Sequence, residues 1–462
     1  MRWRRSPADG RRPGRAALVA VAVLVSCTTS VPAPEPVIVP IPVIESPPAA
    51  GAETRRPPTP PPTAPPRTEV SGGAVRNAGD STIRVLLSSS AGVVRVSSPG
   101  GLLFTDRDGS TVARALRGEV WRLERSNGRV RAVRPDGVGT VWKDAPMYAR
   151  PLDEALLSLG GKPYRGDVAF YAGDTGVVVV NVVRIDDYLR GVVPLEIGTQ
   201  SPGDSAAAQA QAVTARSYAY IHLNRDPLRR YDLTGGVLDQ VYGGVAVETP
   251  VASEAVESTR TLVLRYGGRV VNAPYHSNCG GSTAAASEVW RSNDEPYLRP
   301  VSDQIPGTDR YYCDVSSSFR WTRTLDASAV NAAVARYLAS YASVPGRRPG
   351  VVRDVTVGSH TASGRVGTVT ITTDRGNFVV RGNDIRFVLR QPGGEILNST
   401  KFSIETRAAA DGSLARLVLH GFGNGHGVGM CQWGAIGRAR AGQDFRTILG
   451  TYYPGTTVGP AQ

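Results

Sequence analysis

Between Val31 and Glu69 the chain is dominated by proline, in runs such as PAPEPVIVPIPVIESPP and PPTPPPTAPP, and this decides where a fold can begin. Proline fixes φ and lacks an N–H, so such a stretch suits neither a helix interior nor a central strand and favours extended polyproline II. Residues 28–75 are therefore expected to be a tether, and the core has to come from the residues C-terminal to it. Upstream, a basic stretch from Arg2 to Arg15 leads into an apolar run from Ala16 to Val25. That run is too short to cross a hydrocarbon layer of about 30 Å. Residues 1–27 thus read as a signal peptide, and the chain is expected to be exported.

At the end of the apolar run, Leu24-Val25-Ser26-Cys27 resembles the lipobox of bacterial lipoproteins. Lipidation of Cys27 would anchor the mature chain to a membrane; an ordinary signal peptide is the alternative. The formal charge of +13 suits an anionic partner, and export removes nucleic acid from the candidates. With Cys27 assigned to lipid, Cys279, Cys313 and Cys431 remain. Three is an odd number in an oxidising compartment, which leaves a thiol over unless one metal takes all three.

Downstream, residues 76–165 carry short apolar runs bounded by turn residues: Ile83–Leu87, Gly92–Val96, Thr111–Ala115, Val120–Leu123 and Arg129–Val133, with Gly176–Val183 after them. Helical spacing then sets in at Ser205–Leu223, with Asp204 or Ser205 as N-cap, and recurs at Pro250–Thr259 and Ala327–Tyr341. Strand patterns return at 260–266, 269–272, 351–357, 365–373, 377–381 and 413–419, and a short helix is expected around Ala435–Ala441. The fold class is α+β: a mainly β N-terminal part, then a mixed α+β core over residues 166–462.

Five ordered blocks carry the chemistry. They are Ile185-DDYLRGVVPLE-Ile197 with the helix ending in Ala215-RSY-Ala219; Asp239-QVYG-Gly244; Asn272-APYHSNCGGS-Thr283; Glu288-Val289-Trp290 with Pro296-Tyr297-Leu298; and Gly425-HGVGMCQWG-Ala435 with Tyr452-YPG-Thr456. On these blocks the chain resembles the sporulation stage II protein D family (SpoIID/LytB type). The resemblance implies a peptidoglycan lytic transglycosylase that cleaves glycan strands between N-acetylmuramic acid and N-acetylglucosamine, with Glu196 at the family's catalytic position. It equally admits a non-enzymatic enhancer that binds wall glycan and stimulates a cell-wall amidase.

The chemistry supports Glu196 independently of the resemblance. Breaking a glycosidic bond requires a proton donor for a poor leaving oxygen, and a glutamate with a raised pKa supplies one near neutral pH. Val192, Val193, Pro194, Leu195 and Ile197 surround it with apolar groups that favour such a shift. Intramolecular attack by the muramyl 6-hydroxyl makes a second carboxylate dispensable. Gln211, Arg216, Tyr218, Gln240, Tyr242 and His426 offer amides, a guanidinium and rings, and are the expected glycan-binding groups. His276, Cys279, Cys313 and Cys431 make up the complement of a structural zinc site, with a disulfide between Cys279 and Cys431 as the rival. No cofactor is required for the chemistry itself.

Overall fold

The computed structural model describes residues 81–461, apart from 199, 200, 224, 225, 227, 237, 238 and 293. The expected signal peptide, the Pro-rich tether and Cys27 lie outside the described residues. No helix among those described is long and apolar enough to cross a membrane.

The first part is a two-sheet β-sandwich. One sheet has seven strands in the spatial order Leu233–Thr234, Thr82–Ala91, Val177–Arg184, Asp167–Ala172, Met147–Pro151, Leu102–Thr105 and Thr111–Ala115. The other has six, built around Val94–Ser97, Trp121–Ser126 and Arg129–Val133. Val96, Trp121, Leu123 and Val130 of the second sheet share a buried cluster with Phe104, Met147, Val168, Phe170 and Val179 of the first. Alternation in strands such as Trp121–Ser126, with Trp121 and Leu123 inward and Arg122 and Glu124 less buried, is what a sheet with one buried face requires.

A division near residue 165 does not hold in the structure. Asp167–Ala172 and Val177–Arg184 pair into the seven-stranded sheet, the latter antiparallel to Thr82–Ala91 from Thr82↔Arg184 to Ala91↔Val177. The reason lies in Val177-VVVNV-Val183, which is almost wholly buried on both faces and belongs at the centre of a sheet. The change of architecture falls instead at Ile185, where that strand runs straight into a helix.

The second part packs around the helix Ser205–His222. Ala207, Ala208, Ala210, Ala212, Ala215 and Ala219 are fully buried, and their small side chains let the helices Pro250–Ser258, Gln432–Arg440 and Phe445–Tyr452 approach closely. Asp204 stands at the N-cap position as expected but makes no side-chain capping bond and instead accepts from Arg440 at 2.7 Å, while Ser201 caps the 3-10 turn Pro202–Asp204 that leads into the helix.

A third lobe is inserted between Arg320 and Phe422. Two three-stranded sheets and the helix Ala327–Tyr337 enclose their own core of Trp321, Val334, Val355, Val369, Ile371 and Leu417. The chain enters on Arg320–Asp326 and leaves on Leu414–Phe422, which pair antiparallel from Arg320↔Phe422 to Asp326↔Arg416.

Candidate active site

The site forms where the sandwich meets the helices. The strand ending at Arg184 passes into the helix Ile185–Arg190, turns at Gly191 and starts the short helix Val193–Ile197 with Pro194 in its first turn, where a missing N–H is harmless. Gly191 is required by a close approach: a Cβ there would lie 2.6 Å from the Tyr242 ring. Gly198 closes the short helix in the left-handed conformation at φ 62°. This places Glu196 on a rigid two-turn elbow.

Glu196 Oε1 accepts a 2.8 Å hydrogen bond from the backbone N–H of Val241, and the side chains of Tyr275 and Gln432 also hydrogen-bond to the carboxyl. Burial nevertheless dominates and raises its pKa above the ordinary carboxylate value, with the three hydrogen bonds pulling the other way. The nearby carboxylates are otherwise engaged. Asp186 pairs with Arg216 at 3.0 Å and Glu248 with Arg165 at 2.7 Å, Asp187 lies 3.8 Å from Arg190, Asp239 accepts from Tyr218 and Thr234, and Glu288 is bonded by Ser363.

Several expected glycan-binding residues turn out to build the site from behind. Arg216 is fully buried: its Nε pairs with Asp186, and its terminal nitrogens donate to the carbonyls of Val256, Thr259 and Leu262. It ties the long helix to its neighbours and, being fully buried, offers no surface to a sugar. Tyr242 donates to Asn181 Oδ1 at 2.9 Å inside the sandwich junction. Gln240 is buried, accepting from Tyr188 and donating to Tyr275 Oη at 3.1 Å. Gln211, also buried, accepts at 3.3 Å from Gln432, one step behind Glu196. Tyr218 remains partly exposed, stacked on His222 and donating to Asp239 at 3.0 Å.

His426 is neutral and committed. Its Nε2–H donates to the Tyr275 carbonyl at 2.8 Å and its Nδ1 accepts from Val428 N–H at 3.1 Å, while burial holds its pKa well below the usual histidine value. It therefore orients the peptide of Tyr275, beside Trp290 at 5.0 Å between ring centres. Sequence reasoning leaves both Tyr275 and Gln432 out of the site. Both sit in recognised blocks, and what brings them to Glu196 is the parallel pairing of Tyr275–His276 with Met430–Cys431, which spans more than 150 residues of chain.

That same pairing gathers the cysteines. Cys279, Cys313 and Cys431 are fully buried with unbonded thiols, and their sulfurs lie with a carboxylate oxygen of Asp303 within 4.8 Å of one another. Cys279 Sγ is 3.6 Å from Cys313 Sγ and 3.8 Å from Asp303 Oδ2. His276, the other expected member, donates from Nδ1–H to the Val428 carbonyl at 3.1 Å, while its buried Nε2 has no hydrogen-bond partner and its ring lies beside Cys279.

The site thus consists of an α+β body that carries a glutamate of raised pKa on a short elbow, backed by buried amides and a tyrosine. Residues 173–266 match the Stage II sporulation protein (SpoIID) family, and residues 308–429 match a domain of unknown function, DUF8618. Similarity extends to an uncharacterised protein of Brachyspira hyodysenteriae, 30% identical over 303 residues that cover 65% of this chain and 74% of that protein. It extends also to two proteins of Bacillus subtilis. Stage II sporulation protein D is 27% identical over 61% of this chain and 76% of its own length. The amidase enhancer is 30% identical over 65% of this chain but only 45% of its own length, so this chain spans less than half of that relative. The chain belongs to the SpoIID family.

Proposed function

We propose that this chain is an exported cell-envelope protein, tethered through Cys27 and the Pro-rich segment, that cleaves peptidoglycan glycan strands as a lytic transglycosylase. The observation that carries this reading is Glu196: a carboxyl whose proton affinity is raised by burial, fixed by a backbone N–H and two side chains. Because Oε1 accepts from Val241, the acidic proton resides on Oε2. Glu196 delivers that proton to the oxygen bridging N-acetylmuramic acid and N-acetylglucosamine as the C1–O bond breaks. The muramyl 6-hydroxyl then bonds to C1, and the Glu196 carboxylate takes up the hydroxyl proton. No water is consumed, a 1,6-anhydro end forms, and the acid is regenerated. Tyr275, Gln432 and, behind them, Gln240, Gln211 and His426 hold the geometry.

Digestion of purified, stem-peptide-free glycan strands followed by mass spectrometry tests the proposal. Anhydromuramyl ends that vanish in Glu196→Gln support it, and their absence from the wild-type digest sinks it. A second reading is favoured by one finding, the similarity to a protein named amidase enhancer. It predicts no glycan cleavage by the chain alone and faster peptide-stem release when a cell-wall amidase is added, with Glu196→Gln as effective as wild type.

A further inference from the structure

The seven-stranded sheet of the sandwich is apolar on both faces, and the sandwich core uses only one of them. Met147, Val168, Phe170 and Val179 point into that core, so Tyr148, Ala169, Tyr171, Val178 and Val180, which alternate with them, point out on the other side. There they form a second cluster: Ala169, Val178 and Val180 are buried, with Leu86, Tyr148 and Tyr171 packed on them. The outward face of an antiparallel sheet is ordinarily polar. Tyr148, Tyr171 and the nearby Tyr231 are partly exposed, so tyrosine rings make the surface above the buried aliphatic groups.

Strand register puts this surface in line with the acid. Tyr148 pairs with Ala169, Ala169 with Val180, Val180 with Leu86, and Leu86 with Thr234 at the edge of the sheet. Residues paired in this way share a face, and four strand spacings of about 4.8 Å make the row about 19 Å long. From its end the path continues through side chains: Thr234 Oγ1 donates to Asp239 Oδ2 at 2.7 Å, and Asp239 Oδ1 accepts from Tyr218 at 3.0 Å. Asp239 stands two residues before Val241, whose N–H holds Glu196.

We propose that this face is an extended glycan-binding surface, on which the uncleaved part of a stem-peptide-free strand lies along the row from Tyr148 to Thr234 and feeds into the site at Glu196. The proposal rests on the reading of Glu196 as the acid that cuts such strands. Two features fit that occupant. Tyrosine rings offer flat apolar area with a polar tip, which suits the apolar faces and hydroxyl rims of sugars. Arg230 is exposed, with its guanidinium 5.6 Å from the Tyr171 ring centre, while Arg84 and Arg150 at the margins pair with Asp232 and Asp167. A strand freed of its stem peptides carries a carboxylate on every N-acetylmuramic acid, and Arg230 is placed to meet one. Long strands therefore bind more tightly than fragments that fill only the surroundings of Glu196, because the added sugars make contacts without a second loss of overall freedom.

Isothermal titration of the full chain carrying Glu196→Gln with stem-peptide-free strands of graded length tests this. Affinity should rise with length until the row is covered, and adding Tyr148→Ala should remove about tenfold of that gain. Adding Arg230→Glu, at an exposed position, should weaken binding of the same strands but not of neutral N-acetylglucosamine oligomers of equal length, which lack the carboxylate. This second variant decides if Tyr148→Ala fails to fold. An affinity independent of length, or a length gain that survives both substitutions, overturns the proposal. So does a concentration-dependent dimer that Tyr148→Ala dissolves, which assigns the face to a second copy of the chain. The wild-type digest reads the acid and the titration reads the surface, so the two proposals fail separately.

Discussion

Replacing Glu196 by glutamine should separate catalysis from stability in opposite directions. Glutamine keeps an oxygen for the 2.8 Å bond from Val241 N–H and nearly the same shape against Tyr275 and Gln432, so the elbow is preserved. What it removes is the proton. Loss of a positioned general acid lowers turnover by about 10²–10⁴, or roughly 3–5 kcal/mol in barrier. Stability moves the other way. Burial raises the carboxyl's pKa above 4.5, so the folded state binds the proton more tightly than the unfolded chain. That contribution is fully present below the unfolded value and is lost as pH rises through the folded one. Each tenfold gain in proton affinity is worth about 1.4 kcal/mol, so at neutral pH and above the wild type carries the cost of an ionised, partly buried carboxylate that the glutamine variant lacks. Thermal melts should therefore coincide near pH 4 and diverge upward, the variant melting higher by a few degrees at pH 8. The wild-type rate should fall along an alkaline limb as the acid deprotonates. A variant that keeps a tenth or more of the anhydromuramyl yield, or that melts several degrees lower at pH 8, would refute the assignment of Glu196 as a buried proton donor.

Other perturbations probe the same geometry. Tyr275→Phe deletes a hydroxyl that hydrogen-bonds to Glu196 and accepts from Gln240, so the alkaline limb of the pH–rate profile should move to higher pH while kcat/KM falls about tenfold. Arg216→Met strands Asp186 and three carbonyls in the interior and should cost about 3–5 kcal/mol in urea unfolding; a loss confined to activity would restore the idea of a substrate contact. Gly191→Ala drives a Cβ to 2.6 Å from the Tyr242 ring, and circular dichroism melts should register about 1–3 kcal/mol of overpacking.

Much of this molecule is legible in its residues, for reasons that differ by element. Thr111–Ala115 and Arg129–Val133 are bounded by turn residues and come out as expected, and the long helix begins at Ser205 because alanine and glutamine leave it no competing conformation. The strands Leu102–Thr105, Met147–Pro151 and Asp167–Ala172 escape a reading of the residues, since runs of four to six carry little periodicity. Arg320–Asp326 does carry a signal, with Trp321 and Leu325 buried against exposed neighbours. At the site, the elbow and Glu196 stand in one contiguous block. Roles for Arg216, Gln240 and Tyr242 cannot be read there, because whether a polar side chain faces a groove or a carbonyl depends on elements far along the chain. Asp303 is the extreme case: it lies 24 residues from Cys279, in no recognised block, and only folding sets it beside three sulfurs.

Arg320 and Phe422 stand opposite one another on neighbouring strands, so the intervening hundred or so residues hang from the central body by a hinge one strand pair wide. Topologically such a cassette could be cut out and the ends rejoined with little disturbance to the path of the chain. Chemically it could not, because excision would take away Arg365, which donates to the Cys279 carbonyl, and Lys401, which donates to the Gly280 carbonyl and Ser282, and so unmake the buried loop that both hold. What resembles a detachable graft is therefore an obligate organ of the whole, and truncated versions that stop short of it should be recovered only as aggregates.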